Sequence, residues 1–236
     1  RWGYICAAHT PQHVAFAVVV AALAAPPVPA TADGIEILEA VGALPSQEPI
    51  EVLLRVRRDA SVATPFAEKQ AGQLIVVCGD LRLDASGDRP VILARSLCNA
   101  APDQFLNEVS LVGRIAGDAK QTSSGKSASR SLAINRYVQK EETTDWYRLR
   151  GYGYTMQRLI DAPKGALVEV TGAFEQRTSQ SGGTYIEIKA RTIRVHGKSK
   201  RNAEQQGQAP ASSSAAGYSH ADFMGEPSDD MPSDWS

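Results

Sequence analysis

Four residues at alternate positions, Trp146, Arg148, Arg150 and Tyr152, set two aromatic rings and two guanidinium groups in one row. Side chains of an extended strand alternate between its two faces. These four therefore point one way, while Tyr147 and Leu149 point the other way, toward an interior. A face reading aromatic, cation, cation, aromatic is poor packing material. It suits a single strand of nucleic acid, which needs flat surfaces for its bases and cations for its phosphates. Tyr154 prolongs the series. Arg136 and Tyr137 end an earlier alternating segment and flank the same groove, although Tyr137 could equally cap the core. Arg114, Lys120, Lys126, Arg177 and Lys189 are further candidates for phosphate contact. For each of them singly, a solvated charged face is the alternative, and for Trp146 it is a half-buried packing role. Phe174 shares parity with Val168 and Val170 and reads as core, while Tyr185 fits either use.

The distribution of charge points the same way. The 236 residues carry 25 Lys and Arg against 26 Asp and Glu, a nearly neutral total. From Asn107 to Arg201 there are seventeen cationic residues against nine acids, whereas Arg1–Leu106 has eight against eleven. Beyond Arg201 there are six acids and no cation. A basic middle with an acidic end is the footprint of a polyanion binder with a separate tail. Catalysis and metal binding find no support. His9, His13, His196 and His220 are scattered, Glu141-Glu142 reads as a solvated turn, and no nucleophile motif or phosphate-binding glycine loop occurs. Cys6, Cys78 and Cys98 form no CxxC pair, which fits a reducing compartment, and Cys78 reads as core. The apolar run Val14–Ala25, followed by Pro-Pro-Val-Pro-Ala, could be read as a targeting segment. It is too short and too broken by proline to span a bilayer.

The elements that must carry this face occur twice. Gly72-Gln73-Leu74-Ile75-Val76-Val77-Cys78-Gly79 aligns without a gap on Gly165-Ala166-Leu167-Val168-Glu169-Val170-Thr171-Gly172, and Ala94-Arg95-Ser96-Leu97 echoes Ala190-Arg191-Thr192-Ile193. Alternation predicts strands in the second copy at about 108–115, 130–138, 146–154, 166–176 and 184–195, with a helix at 155–161 and turns at Gly125-Lys126 and Ser181-Gly182-Gly183. The first copy gives strands near 13–22, 35–44, 50–58, 73–83 and 91–97, with a helix near 65–70. Five strands with a helix between the third and fourth describe an OB-fold barrel. The expected class is all-β. Two tandem OB-fold five-stranded barrels, one degenerate over 1–100 and one over 107–198, are joined by a linker at 101–106. A disordered linker with an acidic tail follows over 199–236. Extending the ungapped register sets Trp146 against Leu53, Tyr152 against Asp59 and Tyr154 against Ser61. The first copy is therefore expected to keep the fold and to have lost most nucleic-acid contact.

Four segments together resemble the bacterial single-stranded DNA-binding protein family: Asn107–Ile115, Leu132–Arg136, Asp145–Leu149 followed by Gly153, and Lys164–Gly172. The resemblance implies a non-enzymatic binder of single-stranded DNA with no cofactor. Trp146 and Tyr152 would stack bases and Arg148 would contact phosphate. A stacking Trp common in the family after the fourth strand is missing from Arg177-Thr178-Ser179, which implies a shallower site. The family's acidic tip docks replication and repair enzymes. Here Asp229, Asp230, Met231 and Pro232 match it, while Asp234 and Trp235 depart from its ending, with Trp235 standing where an apolar anchor would. Homo-oligomers, commonly of four barrels, and a cytoplasmic, nucleoid-associated location are implied as well. An RNA-binding or primosome-type protein and a secreted or structural OB module are the alternatives.

Overall fold

The computed structural model describes residues 14–45, 49–138, 141–179 and 182–196. Seven elements come from the first copy: β1 (Val14–Leu23), β2 (Val28–Ala32), β3 (Ile35–Leu44), β4 (Ile50–Arg57), α1 (Ala63–Ala67), β5 (Leu74–Leu83) and β6 (Pro90–Asn99). Six come from the second: β7 (Asn107–Gln121), β8 (Ser127–Val138), β9 (Glu141–Tyr152), α2 (Tyr154–Asp161), β10 (Leu167–Thr178) and β11 (Thr184–Val195).

Each copy folds into a closed ring because each of its strands hides one side in two. In β9 the buried Tyr147 and Leu149 alternate with Trp146 and Arg148, and in β10 Val168, Val170 and Phe174 are buried. The second ring runs β7–β8–β9–β11–β10 and closes where β10 pairs with β7, from Leu167 opposite Arg114 to Gly172 opposite Val109. The first runs β1–β3–β4–β6–β5 and closes through Ala22 opposite Ala43. β2 is an addition that, among the described residues, pairs only with β3. Both barrels place a helix between their third and fourth ring strands. In the second, the buried Arg130 guanidinium clamps that helix by donating to the carbonyls of Gly117, Leu159 and Ala162.

The repeat extends to backbone irregularities. Both copies carry a β-bulge, between Cys78 and Gly79 and between Thr171 and Gly172. A Cβ on Gly79 would sit 2.1 Å from the Leu93 carbonyl oxygen, and one on Gly172 would sit 2.4 Å from that of Lys189. Only glycine allows the facing strand so close. Gly72 and Gly165, at φ 79° and 80°, likewise turn each chain into its fourth ring strand in the left-handed region.

The strand expected near 13–22 is present as Val14–Leu23, paired with β5 on one side and with β7 on the other. Other expectations are corrected. Cys78 alternates with the buried Val77 onto the outer side of β5 and is only half-buried. β9 ends at Tyr152, so Tyr154 opens the helix. The register between copies also slips by two residues before the helix. Leu54 lies opposite Ile92 as Leu149 lies opposite Ile188, each two residues before the alanine facing its bulge glycine. Trp146 therefore corresponds to Glu51, Arg148 to Leu53, Arg150 to Arg55 and Tyr152 to Arg57. A slip of two keeps every side chain on its face, and the first copy still lacks the aromatic pair.

The barrels are continuous main chain to main chain, from Val14 opposite Val112 to Val19 opposite Asn107. The Tyr147 hydroxyl donates across the junction to the Leu81 carbonyl, and burial pushes its phenol well above the usual range. Among the described residues no helix is long and apolar enough to cross a membrane.

Candidate nucleic-acid interface

The outer face of the second barrel is built by the antiparallel register of β8 on β9. Ser127 faces Tyr152, Ser129 faces Arg150, Ser131 faces Arg148 and Ala133 faces Trp146. Four small side chains thus border the row of large ones; they leave it open at the Trp146 end, while Ser127 and Ser129 are themselves buried. Trp146 is 55% exposed. A β-strand core would have covered an indole in this position.

On the other side β11 contributes Tyr185, Glu187 and Lys189, and β10 contributes Glu175 and Arg177. The Arg148 guanidinium lies 4.5 Å from the Tyr185 ring centroid, and Lys189 Nζ lies 5.3 Å from that of Tyr152. Arg177 donates to the Tyr152 hydroxyl at 2.8 Å and to Glu187 Oε1 at 3.1 Å. Burial works against the charge on Arg177, but Tyr152, Glu187 and Glu175 outweigh it and hold its pKa above the usual range. Its cation persists at any physiological pH.

Nine of the expected site residues come together on this face. Arg114 stands in line with Ala133 and Trp146 across β7, β8 and β9, exposed, with one guanidinium nitrogen on the Gly165 carbonyl at 2.9 Å. Lys126 is exposed in the β7–β8 turn beside the Tyr152 end, and Lys120 lies in the cross-strand row of Ser129 and Arg150. Tyr137, 74% exposed, continues the face beyond Trp146. With Arg148, Tyr152 and Arg177 these form a strip carrying rings and cations in alternation.

Three others are placed differently. Arg150 does point to this side but is only 4% exposed, because it donates to Glu187 Oε1 at 2.5 Å and to Ser127 Oγ at 3.1 Å. It organises the strip from beneath. Arg136 has the parity of Leu132 and Ile134, so it turns to the opposite side and pairs with Asp145 at 3.0 Å. Burial raises the Asp145 carboxyl above its usual range, against the pull of Arg136 and of Arg82 from the first barrel. Tyr154, 68% exposed on α2, is tied to Arg158 by a hydrogen bond from that guanidinium and by stacking, away from the strand row. Asp229, Asp230, Met231, Pro232, Asp234 and Trp235 lie outside the described residues. Sequence reading left Tyr185 open and did not identify Glu187. Nor did it identify the turn between β5 and β6, which approaches Trp146 from the first barrel. The serines at 127, 129 and 131 were a legible signal for an uncovered face.

Residues 106–208 match the model of the single-strand binding protein family. The second barrel belongs to that family. Two solved structures from Thermus aquaticus resemble the chain as a whole. A deletion variant of its single-stranded DNA binding protein is 17% identical, covers 80% of this chain and 98% of its own, and superposes with a TM-score of 0.59. The wild-type protein is 17% identical, covers 86% and 98%, and gives 0.57. At that identity the likeness is one of fold. No curated protein sequence matches the chain.

Proposed function

We propose that the protein binds single-stranded DNA with little sequence preference, and that it does so as a non-enzymatic binder. The observation that carries this is the outward row of exposed Trp146 and half-buried Arg148 and Tyr152, flanked by Arg114, Lys126 and Arg177. Bases have π-faces whatever their identity, so stacking on Trp146 and Tyr152 tolerates any sequence. The surrounding cations neutralise phosphates and release counterions, which makes affinity fall with salt. Membership of the second barrel in the single-strand binding protein family supports the same reading. Protection of exposed strands follows from occupying bases and backbone together. The acidic tail, rich in Asp after a polar linker, is proposed to recruit replication, recombination and repair proteins in the cytoplasm. Two barrels per chain would reach four in a homodimer.

The test is a fluorescence titration of the whole chain with oligo-dT and oligo-U at two salt concentrations. Trp146→Ala is expected to weaken dT binding by about 1–3 kcal/mol while the fold is kept, and to abolish most quenching of tryptophan emission. An affinity unchanged by this substitution would remove Trp146 from the site. Tighter binding of oligo-U would move the protein to the RNA-binding alternative.

A further inference from the structure

Two cations meet Tyr152, Lys189 at its ring and Arg177 at its hydroxyl. Both are held by one acid. Glu175 Oε1 lies 3.5 Å from Lys189 Nζ, and Glu175 Oε2 lies 3.9 Å from Arg177 Nε. We infer that Glu175 is a built-in competitor for phosphate, which occupies these two cations in the free protein and yields them when a strand binds. It thereby sets the affinity of the strip below what the same cations would give without it.

The position follows from the register of β10 on β11. Glu175 faces Glu187, Ala173 faces Lys189 and Arg177 faces Tyr185. Glu175 therefore lies diagonal to Lys189 and two residues from Arg177 on the same outer face, within reach of both. Its hold on them is loose. Oε2 is shut off from water and, among the described residues, accepts no hydrogen bond. A desolvated oxygen without that compensation is destabilised, so the bridge is weakly held. Glu187 differs. It too leaves Oε2 unbonded, but its Oε1 accepts from both Arg150 and Arg177, and its side chain has no exposed surface by which to leave. The Glu175 side chain is 27% exposed and has a way out.

Phosphate approaches from solvent, toward which Lys189 and Arg177 are more exposed than Glu175. A guanidinium gives a phosphate strong, charge-assisted hydrogen bonds, whereas the Glu175 oxygen beside Arg177 accepts none. Once phosphate is seated, repulsion between like charges turns the carboxylate to water. Arg177 stays cationic throughout. The step exchanges one anion for another and moves no proton.

The inference rests on the proposed binding of single strands, and the experiment separates the two. Whole-chain wild type, Glu175→Gln, Glu175→Asp and Glu169→Gln are titrated with a dT strand of about 30 nucleotides, long enough for two barrels. Salt is kept at about 0.15 M, where exposed charges more than about 8 Å apart are screened. Glu169 is the matched control, an acid on the same face of β10 that pairs loosely with Arg194. Glu175→Gln is expected to tighten binding by about three- to tenfold, the worth of up to two exposed ion pairs. Glu175→Asp keeps the charge but falls one methylene short of the cations, and is expected to tighten binding as well. Glu169→Gln should bind as wild type does. Thermal unfolding checks each variant, and Glu175→Asp decides alone if Glu175→Gln does not fold. Unchanged or weaker binding by the Glu175 variants overturns the competitor, as does an equal gain in Glu169→Gln. A gain in Glu175→Gln without one in Glu175→Asp is a bare charge effect and overturns it too. In each of these cases the single-strand reading survives, whereas failure of wild type to bind the strand overturns both.

Discussion

Arg150 separates what a side chain is by type from what it does in place. Its alternation with Tyr147 and Leu149 puts it on the outer face, yet that face is covered at this point by Glu187 and flanked by Arg177. Removing one member of a buried ion pair leaves the other charge desolvated, and without Arg150 the fully buried Glu187 would keep only the half-exposed Arg177. Arg150→Met is therefore expected to lower unfolding free energy by about 3 kcal/mol, read by urea denaturation. The double substitution Arg150→Met with Glu187→Met should restore much of the loss, because the buried carboxylate goes too and Arg177 keeps Glu175. If Arg150 were a phosphate ligand instead, the single variant would lose oligonucleotide affinity at unchanged stability. Period-two alternation reveals the face of a residue but not the neighbour supplied by a strand 37 positions later. That is why Trp146 and Tyr152 were legible and the occupation of Arg150 was not. Arg136 failed for a related reason: it was grouped with Tyr137 by adjacency, although adjacent strand residues face opposite ways.

At the scale of strands and turns the repeat was the most informative feature of the sequence. Both bulge glycines, both helix-to-strand turns and the order of ring strands follow from eight aligned residues and a short echo. The close approach at each bulge gives a direct check. Gly79→Ala and Gly172→Ala should each destabilise the protein by about 1–3 kcal/mol, because an added methyl group must push the facing carbonyl away. Thermal unfolding would measure this, and a neutral result at both would mean that the strands part easily there. The two-residue slip was hidden because connection length has no periodic signature. Five residues separate β4 from α1, whereas a single glycine separates β9 from α2. The strand β2 was missed outright, since Val28–Ala32 is short and begins beside prolines that read as a terminator.

For the molecule as a whole, the pairing of β1 with β7 and the Tyr147–Leu81 contact tie the fate of one barrel to that of the other. Unfolding is expected as one transition, with Trp146 emission and far-ultraviolet dichroism coinciding across urea concentration. Trp2 and Trp235 would be replaced by Phe to isolate the signal. Two separated transitions would show that the barrels are energetically independent. The same pairing settles where copies of this chain can touch. An unpaired strand margin is a template for joining another molecule. Here the first strands of both rings have spent their free margins on each other, inside one polypeptide. Among the described residues the outer margin of β2, which pairs with β3 alone, stays open to such joining. A contact that could have joined separate molecules is therefore already satisfied within each one, whatever its concentration.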